Sequence, residues 1–134
     1  MIRIRTIDHI VLRTSQPQKM IDFYCQVLGC TLERTLPADV GLNQLRAGNS
    51  LIDIIATDSQ LGRSGGPPPS ESGNNLDHFC LQIEAITENE LQDYLSGLGI
   101  TTSDFETRYG AQGYGPSTYI KDPDNNTIEL KPTH

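Results

Sequence analysis

An α+β fold made of two tandem β-α-β-β-β modules is predicted by three observations in this 134-residue sequence. The chain repeats itself at a nearly constant offset, each half passes from strand-like to helical and back to strand-like periodicity, and a Gly, Pro and Ser-rich stretch separates the halves. The repeat can be quoted directly. Asp8-His9-Ile10-Val11-Leu12 returns 69 residues later as Asp77-His78-Phe79-Cys80-Leu81, and Tyr24 with Leu28-Gly29 returns 70 later as Tyr94 with Leu98-Gly99. A third echo, Leu51-Ile52-Asp53-Ile54 in Thr127-Ile128-Glu129-Leu130, has an offset of 76, and differences in loop length absorb the excess.

In the first half, residues 7–12 are short and rich in β-branched side chains, which predicts a strand. Pro17 suits the first turn of a helix with Ser15 or Gln16 as its cap, and Met20, Phe23, Tyr24, Val27 and Leu28 follow at helical spacing until Gly29 stops it. Strands are expected near 31–34, 42–47 and 51–56, separated by the turn formers Pro37, Asp39 and Gly48-Asn49. The stretch 62–75 has almost no apolar side chain and is expected to be a mobile linker. The second half opens with a strand at 76–83. Thr87 and Glu90 then form a capping box ahead of Leu91, Tyr94, Leu95 and Leu98, and Gly97-Leu98-Gly99 ends the helix. Strands near 101–107, 117–121 and 127–131 complete the echo, the last two joined through Asp122-Pro123-Asp124-Asn125-Asn126. One domain is expected over 1–134, with module 1 at 5–58, a linker at 59–75 and module 2 at 76–132.

Ten Lys and Arg against 17 Asp and Glu leave a formal charge of −7, and such a surface repels phosphate backbones and anionic lipid. Neither a nucleic-acid nor a membrane partner is expected. No apolar run reaches the roughly 20 residues of a bilayer span, and Met1-Ile2-Arg3-Ile4-Arg5 lacks the apolar core of a secretory signal, so a cytoplasmic location is expected. Cys25, Cys30 and Cys80 are odd in number and without CxxC spacing, which fits reduced packing residues.

The informative residues interrupt apolar strands. His9, Asp53, His78 and Glu129 occupy equivalent places in the two repeats, and an ionised group facing a core needs a compensating partner. Two imidazoles with one or two carboxylates are ligands for a divalent transition metal, and two His plus one carboxylate leave positions open for substrate. A pseudo-twofold arrangement of the halves brings all four to one point. Each taken singly also fits a satisfied core or edge histidine, or a carboxylate facing solvent. The segment Arg108-Tyr109-Gly110-Ala111-Gln112-Gly113-Tyr114-Gly115-Pro116 has the composition of a pliable lid, with Arg108 suited to a substrate carboxylate and Tyr109 or Tyr114 to an oxygen near the metal. It also fits a glycine-rich hairpin. Arg13 and Arg46 are further candidate anion contacts.

These residues carry a resemblance over nearly the whole chain. Asp8-His9-Ile10-Val11-Leu12, Phe23-Tyr24 with Leu28-Gly29, Leu76-Asp77-His78 and the closing segment 122–130 resemble the vicinal oxygen chelate superfamily, which includes glyoxalase I, fosfomycin-resistance proteins, extradiol dioxygenases and bleomycin-resistance proteins. Among its members the chain looks most like small glyoxalase-domain proteins with an RYGA-containing loop, including a virulence-associated bacterial branch. The resemblance implies curved, cup-like mixed sheets, a homodimer, and a divalent metal (Ni, Zn, Mn or Fe(II)) on His9, His78 and Glu129, with Asp53 at the place of glyoxalase I's second carboxylate.

The function this implies is a metal-dependent enzyme, a lyase or isomerase of glyoxalase type or a dioxygenase. It acts on a small substrate whose adjacent oxygens chelate the cation, with Glu129 or Asp53 as the catalytic proton shuttle. Arg108, Tyr109, Tyr114 and Arg13 are the candidate substrate-binding residues. The competing function is a metal-free protein that sequesters a ligand, of bleomycin-resistance type. Thiol transfer to an epoxide, as in fosfomycin resistance, is a third, although the expected potassium-binding loop is not recognisable.

Overall fold

The computed structural model describes residues 1–134, which divide into two compact units, Met1–Ser70 and Glu71–His134. In the first, strands β1 (His9–Thr14), β2 (Thr31–Thr35), β3 (Leu42–Ala47) and β4 (Ser50–Ala56) form a mixed sheet in the order β1-β4-β3-β2. β1 runs parallel to β4 and the other neighbours are antiparallel. In the second, β5 (His78–Ile83), β6 (Glu106–Gly110), β7 (Gly113–Lys121) and β8 (Thr127–Pro132) repeat that order as β5-β8-β7-β6, with β5 parallel to β8. The α+β class and the duplicated β-α-β-β-β order follow. No helix is long and apolar enough to cross a membrane.

Helix α1 (Pro17–Asp22) has Pro at its start, and Phe23–Val27 continues it as a π-helical turn. Gln16 is the N-cap without a side-chain capping bond to the helix; its backbone N–H donates to Thr14 Oγ1 at 3.0 Å. Met20, Phe23 and Tyr24 are buried with Leu12, Leu45, Ile52 and Ile54, each apolar side chain worth about 1.5–3 kcal/mol over its exposed state. Helix α2 (Glu88–Gly97) starts from Thr87 with both bonds of the capping box present. It ends in a Schellman turn, where Gly99 (φ 75) donates to Ser96 O and Ile100 to Leu95 O. Leu91 and Leu95 are its buried residues, in a unit whose strands bury Ile120, Ile128 and Leu130.

Three expectations are corrected. The strand expected at 101–107 begins only at Glu106. Ahead of it the chain pairs partly through a side chain: Ser103 Oγ accepts from the Tyr119 amide at 2.9 Å and Thr118 Oγ1 donates to Ser103 O at 2.8 Å, so no regular ladder forms. Second, β7 starts at Gly113 rather than 117, and the glycine-rich segment is a tight β6–β7 hairpin in which Gly110 pairs with Gly113. Third, the start of the expected linker is tied to the first unit. Arg13 donates from Nε and Nη2 to Gly62 O at 3.1 and 2.9 Å, from Nη2 to Gly66 O at 2.5 Å and from Nη1 to Pro67 O at 3.2 Å. Gly62 is obligatory there, because a Cβ would lie 1.8 Å from the Ala56 carbonyl oxygen.

Candidate functional site

In the second unit, β5 and β8 pair with Cys80 opposite Glu129 and Gln82 opposite Lys131. Side chains alternate along a strand, so His78, Cys80 and Gln82 share one face with Glu129 and Lys131, while Ile128 and Leu130 turn into the core. His78 Nε2 lies 3.3 Å from Glu129 Oε2, and His78 Nδ1 lies 2.6 Å from Asp77 Oδ2. The other carboxylate oxygen, Oε1, accepts from the buried Ser117 hydroxyl at 2.6 Å. Arg108 backs this chain, donating from Nη1 to Ser117 O at 2.7 Å and Ser117 Oγ at 2.9 Å. Its guanidinium sits 4.3 Å over the Tyr119 ring, whose edge-on neighbour is His78.

The first unit repeats the plan with shorter reach. Asp53 pairs with Val11, two residues beyond His9, as Glu129 pairs with Cys80, two residues beyond His78. The imidazole and the carboxylate therefore stand on the same face at the same offset in both units. His9 Nδ1 is 2.6 Å from Asp8 Oδ1. That hydrogen bond raises the His9 pKa above its ordinary value, against burial and reinforced by the charges of Asp53 and Asp8. Asp53 is only 2% exposed; its Oδ2 accepts from Gln44 Nε2 at 3.2 Å, and Gln44 Oε1 accepts from Arg34 Nε at 2.7 Å. Its Oδ1 is buried with no partner.

These donors fit a divalent cation. Each Nδ1 faces a carboxylate, an acceptor, so each ring donates there, and in the neutral ring Nε2 is then the atom with the free lone pair. His78 Nε2 faces a carboxylate oxygen 3.3 Å away, an arrangement that a cation between them would satisfy. The spacing is close to that of two ligands of one cation, about 3.0–3.3 Å for bonds of about 2.0–2.1 Å. The orphaned Asp53 Oδ1 is a further unsatisfied acceptor. Each unit contributes one imidazole and one carboxylate, and no group of three or more His, Cys, Asp or Glu side chains that could hold a metal ion is gathered.

The candidate substrate contacts separate. Tyr109 lines a cavity of about 320 Å³ together with His78, Cys80, Glu129 and Lys131. Tyr114 packs on Tyr109 across the hairpin, ring centroids 5.0 Å apart, with both rings largely exposed. Arg108 is occupied by Ser117 and by Glu106, at 3.3 Å, and holds the carboxylate chain in place. Arg13 spends its guanidinium on the carbonyls of residues 62–67, and Arg46 is held by Glu33 at 2.9–3.0 Å. Four residues were missed in the sequence. Asp8 and Asp77 were visible as repeated neighbours of the two histidines, whereas Ser117 and Lys131 gave no signal. A second hollow, beside Gln92, Ser96, Gly99 and Ile100, has no ionisable side chain.

A β-α-β-β-β duplication that carries a His and a carboxylate at matched register in each half defines a class, and the chain belongs to it. The model of the Glyoxalase/Bleomycin resistance protein/Dioxygenase superfamily matches residues 6–130. Among curated proteins, the chain is 29% identical over 132 residues to the glyoxalase domain-containing protein RDO1 of Mycosarcoma maydis, covering 96% of this chain and 69% of that one. Among solved structures it is similar to the virulence protein STM3117 of Salmonella typhimurium, at 27% identity and TM-score 0.74, over 99% of this chain and all of the other. An integron cassette protein from V. cholerae shares the fold at 23% identity and TM-score 0.77, over 100% and 99% of the two chains.

Proposed function

We propose that this protein is a metal-dependent enzyme of the superfamily, acting on a small molecule through two adjacent oxygens, with His9, His78, Glu129 and Asp53 as the donors to one cation. The observation that carries the reading is the matched register: both units present an imidazole and a carboxylate on one sheet face at the same two-residue offset. A divalent cation (Ni, Zn, Mn or Fe(II)) bound there supplies Lewis-acid polarisation of those substrate oxygens.

The chain's own residues do the rest. Asp8 and Asp77 hold each ring at Nδ1 so that Nε2 is the donor atom, and Ser117 anchors Glu129 by Oε1 so that Oε2 remains on the His78 side. Glu129 or Asp53 carries the proton to or from the substrate carbon beside the polarised oxygen, which is glyoxalase-like lyase or isomerase chemistry; a catechol dioxygenase is the alternative on the same donors. The modules at 5–58 and 76–132 act as one cytoplasmic domain, and the working form is a homodimer.

Zinc uptake tests this. One Zn(II) per chain, lost in both His9→Ala and His78→Ala, is expected. Two ions per chain, each lost in only one variant, refute a shared site. No uptake, with unaltered stability in both variants, refutes the metal and favours ligand sequestration without one. If the four donors come from two copies of the chain, mixing the two inactive variants restores a fraction of the binding. Anaerobic reconstitution with Fe(II), then Ni(II), Zn(II) or Mn(II), followed by assays on hemithioacetals and catechols, separates the two chemistries.

A further inference from the structure

The cavity beside His78 and Glu129 has a buried cation for which the metal reading has no use. Lys131 is 7% exposed and makes no ion pair with any carboxylate of this acidic chain. Its ammonium donates to two backbone carbonyls, Arg108 O at 2.5 Å and Gly113 O at 2.6 Å. An ammonium has three N–H donors, so one is left over, in a residue that lines a cavity of about 320 Å³.

The hairpin above is shaped around this side chain. A Cβ at Gly110 would come within 3.2 Å of Lys131 Nζ, and one at Gly115 within 3.4 Å of its Cε. The two glycines thus leave the room that the lysine occupies. An uncompensated buried charge is costly, and two backbone carbonyls neutralise none of it. The cavity lies at the small end of ligand sites, roughly 300–1,000 Å³. Lys131 stands two residues beyond Glu129 on the same face of β8, their backbones about 7 Å apart along the strand, and both line the cavity.

We propose that Lys131 is a substrate-binding residue, whose free N–H takes the carboxylate of a small organic acid lying in this cavity with its other, oxygen-bearing end towards His78 and Glu129. A single ammonium suits a carboxylate, whereas phosphate groups gather several donors, and Arg108 is already occupied. The ammonium and the cavity stand without a metal; only the chelated far end rests on the proposed function.

The test uses Zn(II)-loaded protein with malate and lactate, which share a 2-hydroxy acid end and differ in malate's second carboxylate. Malate is expected to bind at least about tenfold more tightly. In Lys131→Met the preference collapses to within about twofold, while Zn(II) is still bound. A preference that persists in Lys131→Met makes the lysine a tie for the hairpin only and overturns the proposal, as does the absence of any preference in the unsubstituted protein. If the variant does not fold, the side-chain ¹⁵N resonance of Lys131 in the unsubstituted protein decides: it shifts with malate and not lactate, or the proposal fails. If no Zn(II) binds, the metal reading falls by itself. The same resonance titrated with succinate against succinamide in metal-free protein then decides on Lys131, a shift with succinate alone upholding the carboxylate site and no shift refuting it.

Discussion

Asp53→Asn should make the metal-free protein more stable and the metal-loaded one less so. The carboxylate is 2% exposed, with one oxygen bonded to Gln44 and the other to nothing. An unpaired buried polar group costs about 1–3 kcal/mol, and more when charged. Asn keeps an oxygen for Gln44 Nε2 and replaces the orphaned anion with a neutral amide, so a gain of about 1–2 kcal/mol is expected in EDTA. With Zn(II) the sign reverses. A ligand lost at a cost of about 100-fold in affinity removes about 2.7 kcal/mol of the stabilisation that a fixed metal excess provides. Urea unfolding followed by circular dichroism, with EDTA and with Zn(II), measures both halves. Destabilisation in EDTA would show that Asp53 is satisfied in the fold and was never held in reserve for a ligand. An equal response to Zn(II) in both proteins would remove it from the donor set.

Ser117→Ala removes the hydroxyl that donates to Glu129 Oε1, a buried bond to a charged acceptor, and should cost about 2 kcal/mol in the same urea assay; a change below about 0.5 kcal/mol would show that the bond does not hold the carboxylate. Arg13→Met frees the carbonyls of Gly62, Gly66 and Pro67, so amide hydrogen exchange at residues 62–66 should accelerate while α2 is unaffected; unchanged exchange there would refute the tie. Cys80 is exposed at the cavity rim, yet its thiol is pushed up to about 11, first by partial desolvation and then by the charge of Glu129, with Lys131 opposing. Only about one thiol in 10,000 is then a thiolate at pH 7, so metal-free protein should resist iodoacetamide at Cys80, the rate rising with pH towards 11. Glu129→Gln should shift that alkylation profile to lower pH and Lys131→Met to higher pH, both read by peptide mass spectrometry.

Much of this protein was legible before any coordinates because a duplication leaves its mark on sequence order. The repeat at offsets of 69–76 predicted the twin sheets, Thr87 and Glu90 predicted the helix start that is present, and the equivalent places of His9, Asp53, His78 and Glu129 in the two repeats reappear as equivalent strand register. The segment 101–105 was misread because its pairing runs through the Ser103 hydroxyl, and side-chain bonding of this kind leaves no trace in hydrophobic alternation. The partners that Arg108 and Arg13 have within the fold were not legible for a related reason. A guanidinium has the same chemistry whether it meets a substrate carboxylate or a backbone carbonyl, and only the path of the chain decides which is near.

Local order along the chain thus determined the elements, their repetition and the chemical types in the candidate site, since periodicity, caps and turns depend on neighbours a few residues apart. Tertiary structure decided what those groups do, because their partners are distant in sequence. Glu129 is aimed by Ser117, Asp53 keeps an unused oxygen, and Lys131 holds a spare donor beneath a hairpin whose glycines make room for it. Such hydrogen bonds and close approaches exist only once the strands have paired in register, so no sequence pattern announces them.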